Sequence, residues 1–384
     1  MKQAVISVLA ALLLAGIIAC PAAAETAAPV PLIPLHAGGE PIPSLTDGDY
    51  ETIELFGSGS TIYLAPKKLG QQFYGLYLIW AAPPASWSIT IGNTTTEQGW
   101  NGFLHEFIPI PQGAPSAILH FPKGEALCDV RAYGAGDLPG DVQVWEPPCE
   151  KADLLLFPAH ADDEILFFGG ILAEYAGQRQ LKTQVAYFSQ YNNIREHEKL
   201  DGLWACGVRN YPVNAPFPDR MPQTPRDARK LFGEEAATEF FVQQLRRFQP
   251  QVCIGHDVDG EYGHETHKFT AAILRKALTV SADARRYPDS AAQYGVWDVP
   301  KAYLHLWKHN PIRLDCRTPL SAFGGQTALE VAKAAYTKHV SQQWCWFYVS
   351  DDNEYSIADF GLYRTTVGRD SENDLMEHLT PYGS

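Results

Sequence analysis

The stretch from Asp153 to Gly170 constrains the fold of this chain more than any other. It begins with the apolar run Leu154-Leu155-Leu156, continues through the polar cluster His160-Ala161-Asp162-Asp163-Glu164, and ends in a second apolar segment. This order predicts a buried parallel strand, a loop and a helix. In open α/β sheets, ligands bind beyond the carboxyl ends of the strands, where this loop lies. Because burying an imidazole and three carboxylates without a cation is costly, the loop also predicts a metal site.

The residues after Glu150 alternate between strand and helix patterns. His256 follows one of the apolar strand runs directly. This alternation predicts an α/β fold with a Rossmann-like parallel sheet and helices on both faces. The predicted elements are a strand at 182–188, a helix at 193–206, a helix at 235–248 and a strand at 251–255.

A second polar cluster follows the predicted strand at 251–255. It runs from Asp259 to His267 and includes Tyr262-Gly263-His264. Apolar residues at helical spacing continue beyond it, so the cluster lies at the start of a predicted helix. His264 and His267 are three residues apart, which places both on roughly one face of that helix.

These two clusters carry a family resemblance. His160-Ala161-Asp162-Asp163-Glu164 is similar to the His-Pro-Asp-Asp-Glu signature of the LmbE-like, or PIG-L, family of metal-dependent sugar N-deacetylases, and the second cluster resembles the family's second metal motif. Two positions depart from the family pattern. Ala161 replaces a proline, and Thr266 replaces an acidic residue that supports the preceding histidine, so the role of His264 is less firmly implied.

The resemblance implies a role for each polar residue of the two clusters. His160, Asp163 and His267 would bind Zn²⁺ or another divalent metal such as Fe²⁺, leaving one position for water. Asp162 would act as general base, and Tyr262 and His264 would face the substrate and stabilise the oxyanion. The proton for the leaving amine could come from Asp162 or His264, and the sequence does not choose between them.

Two further segments resemble family segments that contact sugar hydroxyls. Arg195 with Glu198 resembles an Arg-x-x-Glu helix, and Phe217-Pro218-Asp219 resembles a Phe-Pro-Asp turn. The resemblance implies that Arg195 and Asp219 bind substrate. A surface salt pair and an Asx-type turn are the alternative readings.

Residues 25–150 have a different sequence pattern, in which short strand-like runs are separated by turn residues. The predicted strands lie at 61–64, 75–80, 87–91, 106–110, 117–121, 129–133 and 142–145. Their spacing is typical of an all-β sandwich, and Leu45 to Tyr50 resembles the opening turn of discoidin-like sandwiches, which often bind carbohydrate.

Four residues of this region are candidates for a sugar-stacking platform: Trp80, Trp87, Trp100 and His105. Aromatic residues in strands are more often core, so Trp100, in a turn, is the best exposed candidate.

The first 24 residues have the features of a signal peptide. Lys2 precedes an apolar run, and Ala22-Ala23-Ala24 forms a small-residue cleavage site. Alternatively, Ile17-Ile18-Ala19-Cys20 resembles a bacterial lipobox, and a lipid on Cys20 would be the protein's one link to a membrane. Either reading predicts an exported protein that is secreted, periplasmic or on the cell surface, where Cys128 and Cys149 could form a disulfide.

A length of 384 residues favours two domains, here 25–150 and 151–384, and the proline-containing junction predicts that they are separable. The formal net charge of −14 argues against a nucleic-acid or anionic-membrane partner. With the resemblance, this predicts an exported zinc-dependent hydrolase that removes N-acetyl groups from GlcNAc-containing glycans or glycoconjugates. The alternatives are hydrolysis of another amide and a non-catalytic cell-surface glycan-binding protein.

Overall fold

The computed structural model describes residues 25–190 and 194–382. The predicted signal peptide and Cys20 lie outside these residues. Within them, no helix is both long enough and apolar enough to span a bilayer.

The N-terminal part forms two antiparallel sheets, ordered β1-β3-β8-β5-β6 and β2-β9-β4-β7. Ile62 and Leu64 of one sheet and Leu76 and Leu78 of the other belong to one hydrophobic core, so the sheets pack against each other. The strands are β1 (Leu32–His36), β2 (Glu54–Phe56), β3 (Ser60–Pro66), β4 (Phe73–Trp80), β5 (Trp87–Ile91), β6 (Thr94–Gln98), β7 (His105–Ala114), β8 (Ala117–Phe121) and β9 (Glu125–Tyr133).

Six of the seven predicted strands are present here, and the seventh is wrong. Residues 142–145 form no strand within the described part of the chain; Val142 and Trp145 are instead buried in a non-strand segment. Trp80, Trp87 and His105 are fully buried, whereas Trp100 is 73% exposed. Three of the four platform candidates are therefore core residues. The discoidin-like assignment stays a prediction.

The C-terminal part is built on one seven-stranded sheet, ordered β12-β11-β10-β13-β14-β16-β15. Its first five strands are mutually parallel, and β16 pairs antiparallel with β14 and β15. The strands are β10 (Leu154–Leu156), β11 (Thr183–Gln190), β12 (Val213–Pro218), β13 (Val252–Gly255), β14 (Lys301–His305), β15 (Pro311–Arg313) and β16 (Asp359–Thr365).

Helices cover both faces of this sheet. Leu154 and Leu156 of β10 belong to one hydrophobic cluster and Leu155 to another, as alternation along a doubly buried strand requires. The α/β prediction is confirmed, with an antiparallel edge that it did not include. The helices are α1 (Asp163–Leu166), α2 (Gly169–Ile171), which continues as a π-helix (Leu172–Gln178), α3 (Ile194–Ala205), α4 (Pro225–Phe232), α5 (Glu234–Phe248), α6 (Glu265–Val280), α7 (Pro288–Tyr294) and α8 (Ala328–Tyr336).

The two parts share a buried interface. His105 Nε2 lies 2.9 Å from His197 Nδ1, and the Tyr77 hydroxyl lies 2.7 Å from His105 Nδ1. Burial lowers the pKa of His105 well below its ordinary value and that of His197 to about 4, so both rings are neutral near pH 7. The core also runs continuously from the N-terminal sheets into the C-terminal part. The two parts are therefore packed together more closely than the proline-containing junction predicts.

The cysteines of the described part are all free thiols, so Cys128 and Cys149 form no disulfide here. Both are buried, and burial raises the pKa of each thiol to about 12. They are therefore inert core residues.

Tyr211 provides a test of the interface. Its hydroxyl accepts a hydrogen bond of 3.0 Å from the Leu104 amide, and its ring stacks on Phe103 at 4.5 Å. Tyr211→Phe leaves that buried amide without a partner, which costs about 1–3 kcal/mol. We expect urea unfolding to show a free energy of unfolding lower by that amount in a single transition. The control is Tyr63→Phe, which removes the hydroxyl of a half-exposed tyrosine on β3. Equal stability of the two variants would contradict the role of the interface.

Candidate metal centre and active site

The site lies at the carboxyl edge of the parallel strands. The first polar cluster follows β10, the second follows β13, and His305 ends β14. These strands are neighbours in the sheet, so residues far apart in sequence meet at one edge. The structure therefore brings the two polar clusters of the sequence analysis together at this edge.

Three ligand-type atoms form a near-equilateral triangle at this edge. His160 Nδ1 lies 3.1 Å from Asp163 Oδ2 and 3.2 Å from His267 Nε2, and His267 Nε2 lies 3.2 Å from Asp163 Oδ2. All three residues are buried. Two imidazole nitrogens and a carboxylate oxygen this close need a proton or a cation between them.

The triangle fits a zinc ion. A tetrahedral zinc site with bonds of about 2.0–2.2 Å places its ligand atoms about 3.3–3.6 Å apart, and nitrogen and oxygen ligands suit this metal. The edges of the triangle, 3.1, 3.2 and 3.2 Å, lie within about 0.2 Å of the lower end of that range. The three residues are those that the sequence predicted as ligands.

Two other groupings of buried or half-buried side chains are compact enough to hold an ion: His160 with His264 and His267, and Asp163 with His256 and His267. His256 is a poor ligand because its Nε2 accepts a hydrogen bond of 2.9 Å from the Ala159 amide. Its Nδ1 faces Glu261 at 2.9 Å. Both nitrogens are therefore engaged.

Glu261 is the centre of a histidine network that the sequence analysis did not predict. Its Oε2 accepts from His267 Nδ1 at 2.7 Å, and its Oε1 accepts from His305 Nδ1 at 2.6 Å. With His256, three imidazoles surround one fully buried carboxylate. Burial opposes its ionisation, but His256 and the other two rings hold the pKa of Glu261 well below its ordinary value.

This network fixes the proton positions on the rings. The Nδ1–H of His267 points at Glu261, so its Nε2 presents a lone pair to the triangle, as a metal ligand must. His305 Nε2 lies 2.9 Å from the Ser356 carbonyl. His305 is therefore held between the Glu261 carboxylate and the Ser356 carbonyl.

Asp162, the predicted base, has a strained backbone with φ of 129°. Its amide donates to Glu164 Oε2 at 2.8 Å, which stabilises this conformation. Burial and then the neighbouring Asp163 raise the pKa of Asp162 to about 8, while Arg195 opposes the rise. Burial also disfavours ionisation of Asp163, but His267 and His160 hold its pKa well below the ordinary value. The two adjacent carboxyls therefore differ in proton affinity.

The two predicted substrate residues reach the same centre. Arg195, near the start of α3, contacts the Ala161 carbonyl, lies 3.2 Å from Asp162 Oδ1 and lies 3.6 Å from Asp219 Oδ2. Asp219 follows β12, so the predicted turn at Phe217-Pro218 is instead the end of an edge strand. The salt-pair alternative is wrong, since Glu198 is buried and accepts from the Ser341 hydroxyl at 2.6 Å.

Tyr262 and His264 flank the triangle. The His264 ring lies 4.7 Å from that of His160 and 4.6 Å from that of His267, centroid to centroid. Burial, followed by the charges of His160 and His267, lowers the pKa of His264 to about 2. Its Nδ1 accepts from the Thr266 amide at 3.3 Å, so the Nε2 carries the proton. Neither Asp257 nor Glu265 hydrogen-bonds to it in the described residues.

A segment to which the sequence analysis assigned no role lies beside Tyr262 at the entrance of the site. We call residues 340–348 the aromatic rim. Trp344, Trp346 and Tyr348 in it are 82%, 67% and 62% exposed. The ring of Phe347 lies 4.5 Å from that of Tyr262, and that of Trp346 lies 6.3 Å from it. The rim therefore forms one wall of the entrance.

Comparison with known proteins agrees with these observations. The family model described as "GlcNAc-PI de-N-acetylase", PIG-L, matches residues 155–278, which hold both polar clusters. A 1D-myo-inositol 2-acetamido-2-deoxy-alpha-D-glucopyranoside deacetylase of Catenulispora acidiphila is 27% identical over 184 residues, covering 41% of this chain and 56% of that protein. A mycothiol S-conjugate amidase of Streptomyces coelicolor is 34% identical over 97 residues, covering 25% of this chain and 32% of that protein.

Among solved structures, an N,N'-diacetylchitobiose deacetylase from Pyrococcus horikoshii aligns with a TM-score of 0.35 and 17% identity, covering 51% of this chain and 72% of that one. The chain spans about half the length of the first curated relative it matches, and less of the second. The family model and the named deacetylases among the relatives support the resemblance found in the sequence: residues 155–278 are the PIG-L-like part of this chain.

Proposed function

We propose that this chain is an exported zinc-dependent N-deacetylase that acts on a GlcNAc-containing glycan or glycoconjugate. The triangle of His160, Asp163 and His267 carries the proposal, because its dimensions fit zinc and a candidate base adjoins it. The first relative's name describes a deacetylase of an N-acetylated glucosaminide, which favours this substrate class.

The chemistry follows from the positions of the side chains. His160, Asp163 and His267 would hold the zinc, which when bound would supply a water of lowered pKa and a Lewis acid for the acetamide carbonyl. Asp162 accepts the proton of the attacking water, and Arg195 orients its carboxylate from 3.2 Å. The Nε2–H of His264 and the Tyr262 hydroxyl are the chain's own donors for the oxyanion.

The hydrogen bond of His264 supports Asp162 as the donor in the last proton transfer. An imidazole whose Nδ1 accepts from the Thr266 amide is neutral, so it stabilises an oxyanion but has no extra proton to give. Asp162, once protonated by the water, is left as the group that delivers a proton to the departing amine. The proposal therefore takes Asp162, and not His264, as the proton donor for the departing amine.

Substrate binding would involve groups around the entrance. Arg195 and Asp219 lie beside Asp162 and His160 and present hydrogen-bonding groups suited to sugar hydroxyls. The N-terminal sheets expose Trp100 as a further sugar-stacking candidate. Export rests on the signal-peptide pattern of residues 1–24.

A second candidate is hydrolysis of another amide by the same site. The match to a protein named as an amidase favours it, at 34% identity over 97 residues. The same metal, base and oxyanion donors would serve that reaction, so the two candidates differ in the acyl group and not in the machinery.

The direct test is acetate release. The zinc-loaded protein should release acetate from GlcNAc, N,N'-diacetylchitobiose or N-acetylated peptidoglycan fragments, and a chelator should abolish the activity because the nucleophile depends on the metal. Zinc content would be measured in parallel. No acetate release by a protein holding one zinc would reject the deacetylase function, and amine release from a different amide in the same assay would favour the second candidate.

Glu261 should control zinc affinity without touching the metal. Glu261→Gln removes the charge and one acceptor from three histidines, so His267 loses its fixed orientation, and we expect zinc affinity to fall about 10–100-fold. Competition with a chelator of known affinity measures it. The control is Glu265→Gln, a neighbouring carboxylate paired with Lys268. Equal affinity in both variants would remove Glu261 from the support of the ligand.

The two adjacent aspartates should give opposite phenotypes. Asp162→Asn keeps the shape but has no basic carboxylate, so zinc should stay while kcat falls by about 10²–10⁴. Asp163→Asn replaces an anionic ligand and should lower zinc content instead. Metal analysis with steady-state kinetics measures both. Loss of zinc from the first variant and its retention in the second would exchange the assigned roles.

A further inference from the structure

We propose that a cavity beside the candidate active site binds a second sugar residue of the substrate, so that the enzyme prefers a disaccharide or longer glycan to a monosaccharide. The cavity has a volume of about 560 Å³. It is formed by the loops that follow β13 and β14, by the start of β15, and by residues before and at the start of β16. The inference rests on the proposed function.

The cavity adjoins the site through two contacts. The ring of Tyr355, in its wall, lies 6.0 Å from that of Tyr262 and perpendicular to it. The Asp257 amide, also in the wall, donates to Glu261 Oε1 at 3.2 Å, and Glu261 in turn binds the ligand His267. A ligand in the cavity would therefore lie next to the substrate-facing tyrosine and the support of the metal.

The lining has the chemistry of a sugar site. Trp307 and Tyr355 provide aromatic rings for the apolar faces of a pyranose, and Asp257, Asp259 and Glu354 provide acceptors for its hydroxyls. None of these three carboxylates takes part in a salt bridge among residues 25–190 and 194–382. Asp257 Oδ1 accepts from the Asp259 amide at 3.2 Å, so its other oxygen and the exposed carboxylates of Asp259 and Glu354 are the acceptors offered to a ligand.

The charge of the cavity lining further restricts which sugars can bind. Three carboxylates face one lysine, Lys308, and the fourth acidic residue, Asp359, is neutralised by Arg313 at 2.6 Å. An anionic sugar would be repelled at these distances, whereas a neutral or amino sugar would not. A GlcNAc or glucosamine residue next to the reacting one fits both the size and the charge.

The test compares GlcNAc with N,N'-diacetylchitobiose. We expect wild-type kcat/KM to be higher for the disaccharide, and this preference to fall about tenfold in Trp307→Ala and in the double variant Asp259→Asn, Glu354→Gln, mainly through KM, because ground-state contacts are lost. The matched control is Glu239→Gln, an exposed carboxylate on α5, which should leave the preference unchanged. The double variant changes only exposed side chains, so it tests the disaccharide preference even if Trp307→Ala does not fold.

Calorimetric titration with N,N'-diacetylchitobiose separates the two proposals. If the double variant binds the disaccharide more weakly than the wild type does, the cavity is supported as a sugar-binding site. If the wild type then releases no acetate, only the deacetylase proposal is rejected. Acetate release with the same substrate preference in wild type and double variant overturns the cavity alone. Absence of both binding and activity overturns both.

Discussion

The site depends on one buried carboxylate. Glu261 is inaccessible to solvent and accepts from histidines at the end of β13, at the end of β14 and in the first turn of α6. Removing one partner from such a buried ionic cluster leaves an uncompensated charge, which is far more destabilising than losing a surface pair. The strand ends, the tautomer of His267 and the position of the metal ligands are therefore set together.

A second buried pair supports the strained backbone of Asp162. Glu164 accepts from the Asp162 amide with one oxygen and lies 2.8 Å from His339 Nε2 with the other. A Cβ at residue 202 would lie 2.9 Å from that same nitrogen, so glycine on α3 allows His339 to reach the carboxylate. A positive φ at an aspartate costs about 1–3 kcal/mol and persists where the surroundings enforce it. Here the surroundings are Glu164, which binds the Asp162 amide, and His339, which lies 175 positions after Glu164 in the chain.

How much of the structure could be predicted from the sequence depends on how far apart in the chain the interacting residues lie. The strand before His160, the helix carrying His267 and the α/β order were predictable because apolar periodicity is a local signal. The ligand set followed from the motif resemblance. Glu261, His305 and His339 could not be assigned, because their partners are brought in by the sheet order. The one available signal was positional: His256 and His305 both end strands. Residues 142–145 were misread because Val142 and Trp145 are buried against other parts of the molecule and not in a sheet.

The interface between the two parts then has a consequence for the site. Helix α3 lies between them: His197 faces His105 of the N-terminal sheets, Arg195 reaches Asp162, and Glu198 holds Ser341 at the root of the aromatic rim. Residues three or four apart share a helix face, whereas His197 projects to a different side from Arg195 and Glu198. One helix thus connects the N-terminal sheets to the base and to the entrance.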